Sequence, residues 1–81
     1  MSTQDRLRDF IVREVAPHET QDRLTDDLPL IETGVVDSLG IFRIVSFVEQ
    51  EFGVDINDEE LAPEHFGTIA SIARLVESKR G

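Results

Sequence analysis

The chain has 81 residues, no cysteine, and seventeen acidic against eight basic residues, for a formal net charge of −9. That length allows one small domain, taken as residues 1–81, and the lack of cysteine excludes a disulfide framework or a thiolate metal centre. Between Glu14 and Glu64 fourteen acids face only Arg23 and Arg43, a balance that repels nucleic-acid phosphates and favours partners with basic patches.

The opening Met1-Ser2-Thr3-Gln4-Asp5-Arg6 is polar and lacks the basic-then-apolar order of a secretory signal. No apolar run approaches the roughly 20 residues of a membrane span, so the expected location is the cytoplasm. The first helix is predicted from Ser2 or Thr3 to about Val15, because Leu7, Phe10, Ile11 and Val15 recur on one helical face. Pro17 ends it. A long connection from about Pro17 to Val36 follows, anchored by Leu24, Leu28, Leu30, Ile31, Val35 and Val36. A loop of that length inside a small domain implies a packed, Ω-like segment or a functional one.

The second helix is predicted from Ser38 to Phe52, apolar around most of its circumference except for Arg43, Ser46, Glu49 and Gln50. Such a helix is central to a core or partly offered to a partner. Gly53 reads as the residue that closes it, and Val54-Asp55-Ile56 as a short extended link. A short third helix or turn falls between Asn57 and Phe66, interrupted by Pro63. The last helix is capped by Thr68 and runs to about Lys79, with Ile69, Ile72, Ala73 and Val76 as its stripe and Leu75 beside them. Three longer helices and a short one close as an all-α four-helix bundle.

Several chemistries fail on spacing. An EF-hand loop counted from Asp55 would need glycine at its sixth position and glutamate at its twelfth, where Glu60 and Phe66 stand. His18 and His65 lack further ligands at metal-binding spacing. No phosphate-binding loop, dinucleotide fingerprint or nucleophile elbow is present, and a chain this short has little room for a catalytic pocket built on Ser38. No catalytic residue and no metal ligand is assigned.

The informative motif is Asp37-Ser38-Leu39, preceded by Gly34-Val35-Val36 and followed by the apolar second helix. It sets one hydroxyl at a helix N-terminus, where unpaired N–H groups and the helix dipole suit a phosphate ester. An N-cap role alone would also account for Asp37 or Ser38. The run Leu30-Ile31-Glu32-Thr33-Gly34-Val35-Val36-Asp37-Ser38-Leu39 resembles the signature of acyl and peptidyl carrier proteins of the stand-alone type. The likeness continues through Glu49-Gln50-Glu51-Phe52-Gly53-Val54, Pro63-Glu64-His65-Phe66 and Thr68-Ile69, covering nearly the whole chain in order.

The resemblance implies a non-catalytic, monomeric carrier with 4'-phosphopantetheine attached covalently to Ser38, flanked by Asp37 and Leu39. A phosphopantetheinyl transferase would supply the arm from coenzyme A, an acyl- or aminoacyl-adenylating ligase would load its thiol, and downstream acyl-processing enzymes would use the thioester. Val36, Leu39, Phe42 and Arg43 are the candidate partner contacts. Core packing is the competing role for Val36, Leu39 and Phe42, and a solvated helix charge is the competing role for Arg43. Fatty-acid carriers often bear acids where this chain has Gly40 and Arg43. That departure points to specialised (polyketide- or nonribosomal-peptide-like) or cell-envelope metabolism. The alternatives are a housekeeping fatty-acid carrier and an acidic helical interaction module that carries nothing.

Overall fold

The structure, a computed structural model, describes residues 2–80. Helix α1 (Thr3–Phe10) starts at Ser2, whose hydroxyl oxygen accepts the Asp5 amide at 3.1 Å. Leu7 and Ile11, one turn apart, are fully buried. The helix continues to Val15, as its apolar spacing predicts, but the stretch Ile11–Val15 is a wider π turn, closed by the Ala16 amide donating to the Ile11 carbonyl at 2.7 Å. The extra residue in that turn carries Ala16 into the core and lays Val15 against the start of the next helix. Ala16, held before Pro17, leaves the helical region (φ −134°, ψ 69°), which the proline ring disfavours for the residue before it.

The long connection is a chain of turns tied down at three points. Arg8 of α1 donates through Nε to the Leu24 carbonyl at 2.6 Å and also meets the Asp26 carboxylate. The Asp26 carbonyl accepts the Ala70 amide at 2.9 Å, and the Leu30 amide donates to the Gly67 carbonyl at 2.8 Å. Leu24, Leu30 and Val36 are buried in the core, so the loop is a structural layer in its own right.

Helix α2 (Ser38–Phe52) has the bounds its cap and terminating glycine imply. Gly53 takes φ +68° and donates its amide to the Glu49 carbonyl at 3.1 Å, a left-handed closure that glycine makes without steric cost. Gly40, Ile44 and Val48 form its buried stripe, and Phe47 stacks on Phe10 of α1 with ring centroids 4.2 Å apart.

The region expected to hold a short helix or turn holds both, a 3₁₀ turn (Asp58–Leu61) and α3 (Pro63–Phe66). Pro63 begins α3 rather than breaking a helix, because the first helical position needs no N–H. Helix α4 (Ile69–Arg80) follows Thr68, whose Oγ1 accepts the Ser71 amide at 3.0 Å. Ile69, Ile72, Ala73, Leu75 and Val76 are buried as α4 lies against α1 and α3. The architecture is the expected all-α four-helix bundle, with no strand among the described residues.

Candidate functional site

The long connection delivers its last residues to the top of α2. There Asp37 adopts extended backbone (φ −102°, ψ −174°) and its Oδ1 accepts the Gly40 amide at 2.8 Å. Asp37 is therefore the cap, and the Ser38 hydroxyl is left out of it. Ser38 occupies the first helical position and is exposed. As the first two residues of an α-helix, Ser38 and Leu39 have no preceding turn to take their amides. A hydroxyl and two unpaired N–H groups thus share the positive end of a 15-residue dipole.

Successive residues turn about 100° around a helix, which sorts the top of α2 into three directions. Ser38, Ile41 and Phe42 face a pocket of about 290 Å³ completed by Ile31, Leu61, Pro63 and Phe66. Leu39 and Arg43 face a second, more polar hollow of about 380 Å³, shared with His18, Val15, Gly34 and Val35. Gly40 and Ile44 point inward and are buried.

The expected contact residues divide accordingly. Leu39 is 74% exposed and Phe42 59%, so both are open to a partner. Arg43 is exposed, with one guanidinium nitrogen 4.0 Å from Glu14. Val36 is 2% exposed, and its docking role is corrected: the Leu30–Val36 hydrogen bond draws the end of the loop inward, and the side chain packs in the core. Gly40 is buried against the end of the first helix and the loop. A Cβ there would stand 2.8 Å from Cγ1 of Val36 and 2.9 Å from Cγ1 of Val15.

Sequence reasoning named the hydroxyl but not the pocket beside it. Ile31 is 47% exposed while its neighbour Leu30 is buried, and an apolar residue squeezed between a core leucine and Glu32 was the available signal. Nothing local marked His18 as a neighbour of the Arg43 hollow, since a whole loop separates them. Among the described residues no helix is long and apolar enough to cross a membrane, and no cluster of three metal-ligating side chains occurs.

Fold and site together define a small helical carrier scaffold that presents one hydroxyl at a helix N-terminus. Residues 6–76 match the family described as "Phosphopantetheine attachment site". The chain belongs to that family, the acyl and peptidyl carrier proteins, non-catalytic proteins bearing covalently attached 4'-phosphopantetheine. It is 40% identical over 57 residues to the probable acyl carrier protein PigG of Serratia sp. (strain ATCC 39006), a match spanning 70% of this chain and 66% of that one. It is 27% identical over 82 residues to the acyl carrier protein of Rickettsia prowazekii (strain Madrid E), across 99% of this chain and 93% of that one.

Two solved structures share the fold. One is a chain in the crystal structure of an FAD-dependent dehydrogenase, with TM-score 0.75, 33% identity, and coverage of 86% of this chain and 97% of that one. The other is apo KstB-PCP, with TM-score 0.71, 36% identity, and coverage of 89% and 79%.

Proposed function

We propose that Ser38 is the attachment residue, and that residues 1–81 act as one monomeric cytoplasmic carrier domain loaded by an adenylating ligase in specialised or cell-envelope metabolism. The observation that carries this reading is the exposed Ser38 hydroxyl at the first position of α2, released from capping duty by the Asp37–Gly40 hydrogen bond. In the attachment step Ser38 Oγ attacks the diphosphate of coenzyme A at the pantetheine-bearing phosphorus. The O–P bond forms, the bond to adenosine 3',5'-bisphosphate breaks, and the hydroxyl proton passes to a base of the transferase. The unpaired N–H groups of Ser38 and Leu39, at the positive end of α2, would favour the negative charge of a phosphodiester formed there. Ile41, Phe42 and Ile31 offer an apolar surface alongside.

The chain that resembles this one in the FAD-dependent dehydrogenase structure is of nearly the same length, too short for a flavin-binding catalytic domain of ordinary size. The likeness to a chain in that structure supports an FAD-dependent dehydrogenase as the class of downstream acyl-processing enzyme we assign here. The single cation on α2, Arg43, weighs against a housekeeping fatty-acid role, for which the full-length likeness to the Rickettsia acyl carrier protein is the supporting observation.

The test is intact-protein mass after incubation with coenzyme A and a broad-specificity phosphopantetheinyl transferase. One phosphopantetheinyl unit is expected on the native chain and none on Ser38→Ala. A unit on the alanine variant would move the site elsewhere.

A further inference from the structure

The hollow on the far side of α2 from Ser38 is chemically unlike the pocket that adjoins it. Arg43, Leu39 and His18 surround it, with Val15, Val35 and Gly34 as its floor and wall. Arg43 is one of only two bases between Glu14 and Glu64 and the only one on α2. Among the described residues its one ion-pair contact is Glu14 at 4.0 Å, with both side chains more than half exposed, a pairing that solvent holds weakly. Leu39 stands one turn before Arg43 on the same side of the helix and is the most exposed large apolar residue among those described.

We infer that Arg43 and Leu39 form a two-part docking point for an enzyme that presents a carboxylate side chain next to an apolar socket. The inference rests on the carrier reading and names the kind of partner that reading requires. A guanidinium meets a carboxylate with two parallel hydrogen bonds, and Leu39 supplies the apolar anchor beside it. The Asp37 carboxylate, which also lines the hollow, disfavours a doubly charged phosphate and leaves a singly charged carboxylate as the fitting anion. The hollow opens to solvent between α2 and the turn after α1, which suits a protruding side chain of a protein better than an enclosed small molecule.

The prediction has a sign opposite to that of bulk electrostatics. On a chain of net charge −9, a partner drawn only by acidic surface would bind Arg43→Glu more tightly. A partner carboxylate would bind it less.

The experiment first converts native chain, Arg43→Glu, Arg23→Glu and the swap Glu14→Arg/Arg43→Glu to the holo form with coenzyme A and the transferase, followed by mass. The adenylating ligase encoded nearest the chain's gene then loads each one, with KM and kcat measured. Expected is a KM rise of about tenfold for Arg43→Glu with kcat held within about twofold, and native behaviour for Arg23→Glu. The swap variant, which restores the internal ion pair with its polarity reversed, should stay as poor as Arg43→Glu. An unchanged or lower KM for Arg43→Glu overturns the proposal, as does full rescue by the swap, which would make the effect internal to the carrier. Failure of the ligase to load the holo chain removes the proposal while leaving attachment at Ser38 intact. Failure of the first step on the native chain instead removes the carrier reading beneath it.

Discussion

Val15 and Gly40 meet where α1 ends and α2 begins, so closely that a Cβ on Gly40 would stand 2.9 Å from Cγ1 of Val15. The contact exists because the π turn rotates Val15 onto the top of α2. Replacing a helical glycine by alanine ordinarily gains about 1 kcal/mol. Here the added methyl also faces Cγ1 of Val36 at 2.8 Å, and both neighbours are β-branched and stiff at χ1. Overpacking of that kind costs about 1–3 kcal/mol. Gly40→Ala is therefore expected to lower stability, and shortening Val15 to alanine in the same chain to recover part of the loss. Urea unfolding of the two singles and the double reads the coupling. A simple gain for Gly40→Ala would mean that the two helices part easily.

Asp37 contributes to the helix in two separable ways. Its carboxylate accepts the Gly40 amide at 2.8 Å and sets a negative charge at the positive end of α2. Asp37→Asn keeps the acceptor and loses the charge, with an expected cost of about 0.3–1 kcal/mol. Asp37→Ala loses both, for a total of about 1–2 kcal/mol. Added salt should shrink the difference between Asp and Asn and leave that between Asn and Ala nearly unchanged. Thermal unfolding at two ionic strengths checks the order Asp, Asn, Ala and its salt dependence.

Much of this was legible because the signals were local. Asp37 and Gly53 mark the two ends of α2, and Leu7, Ile11, Ile72 and Val76 announce their buried faces by spacing alone, whereas the apolar circumference of α2 left its buried stripe of Gly40, Ile44 and Val48 to the structure. Position relative to a distant segment was not legible. Val36 reads as a neighbour of the exposed Ser38, yet its burial depends on a loop held by Arg8 of α1 and by Gly67 and Ala70 around the start of α4, two distant parts of the chain. The packing of Val15 against Gly40 was equally hidden, because Val15 arrives through a π turn whose apolar residues fit a regular helix equally well.

That loop gives a third prediction. Arg8 uses one guanidinium to hold the Leu24 carbonyl at 2.6 Å, the Asp5 carboxylate at 3.0 Å and the Asp26 carboxylate. Lysine keeps the charge but cannot spread donors over three acceptors in one plane. Arg8→Lys is expected to cost about 1–2 kcal/mol, discounted from the range for charged hydrogen bonds because both aspartates are half exposed. The loss should be concentrated in the loop. Hydrogen exchange at Leu24, Leu30 and Ala70, whose amides or carbonyls fasten it, should quicken more than at Ile44 or Val48. Uniform acceleration across all five would instead make Arg8 a global stabiliser with no special hold on the segment that ends at Ser38.

The fourth concerns acid. Glu60 Oε1 accepts the Asn57 amide at 2.9 Å and lies 2.8 Å from Nζ of Lys79, joining the 3₁₀ turn to the end of α4. The Asn57 hydrogen bond first, and Lys79 second, hold its carboxyl below the ordinary glutamate value, partly offset by burial. A carboxyl with a lower pKa folded than unfolded binds its proton less readily in the native state. Its stabilising contribution is present in full above the ordinary glutamate value and is lost as pH falls through the depressed one. Glu60→Gln should accordingly be the less stable protein at neutral pH, and the two melting curves should converge on acidification. Lys79→Met, which keeps the aliphatic stem, should reproduce only the part that comes from Lys79, because the Asn57 amide still favours the carboxylate. Melting temperatures of the three proteins, followed from neutral pH down through the carboxylate range, test this. A constant gap between the native chain and the Glu60→Gln variant across that range would remove the ionisable contact from the account of how α3 and its preceding turn are held beneath the pocket that adjoins Ser38.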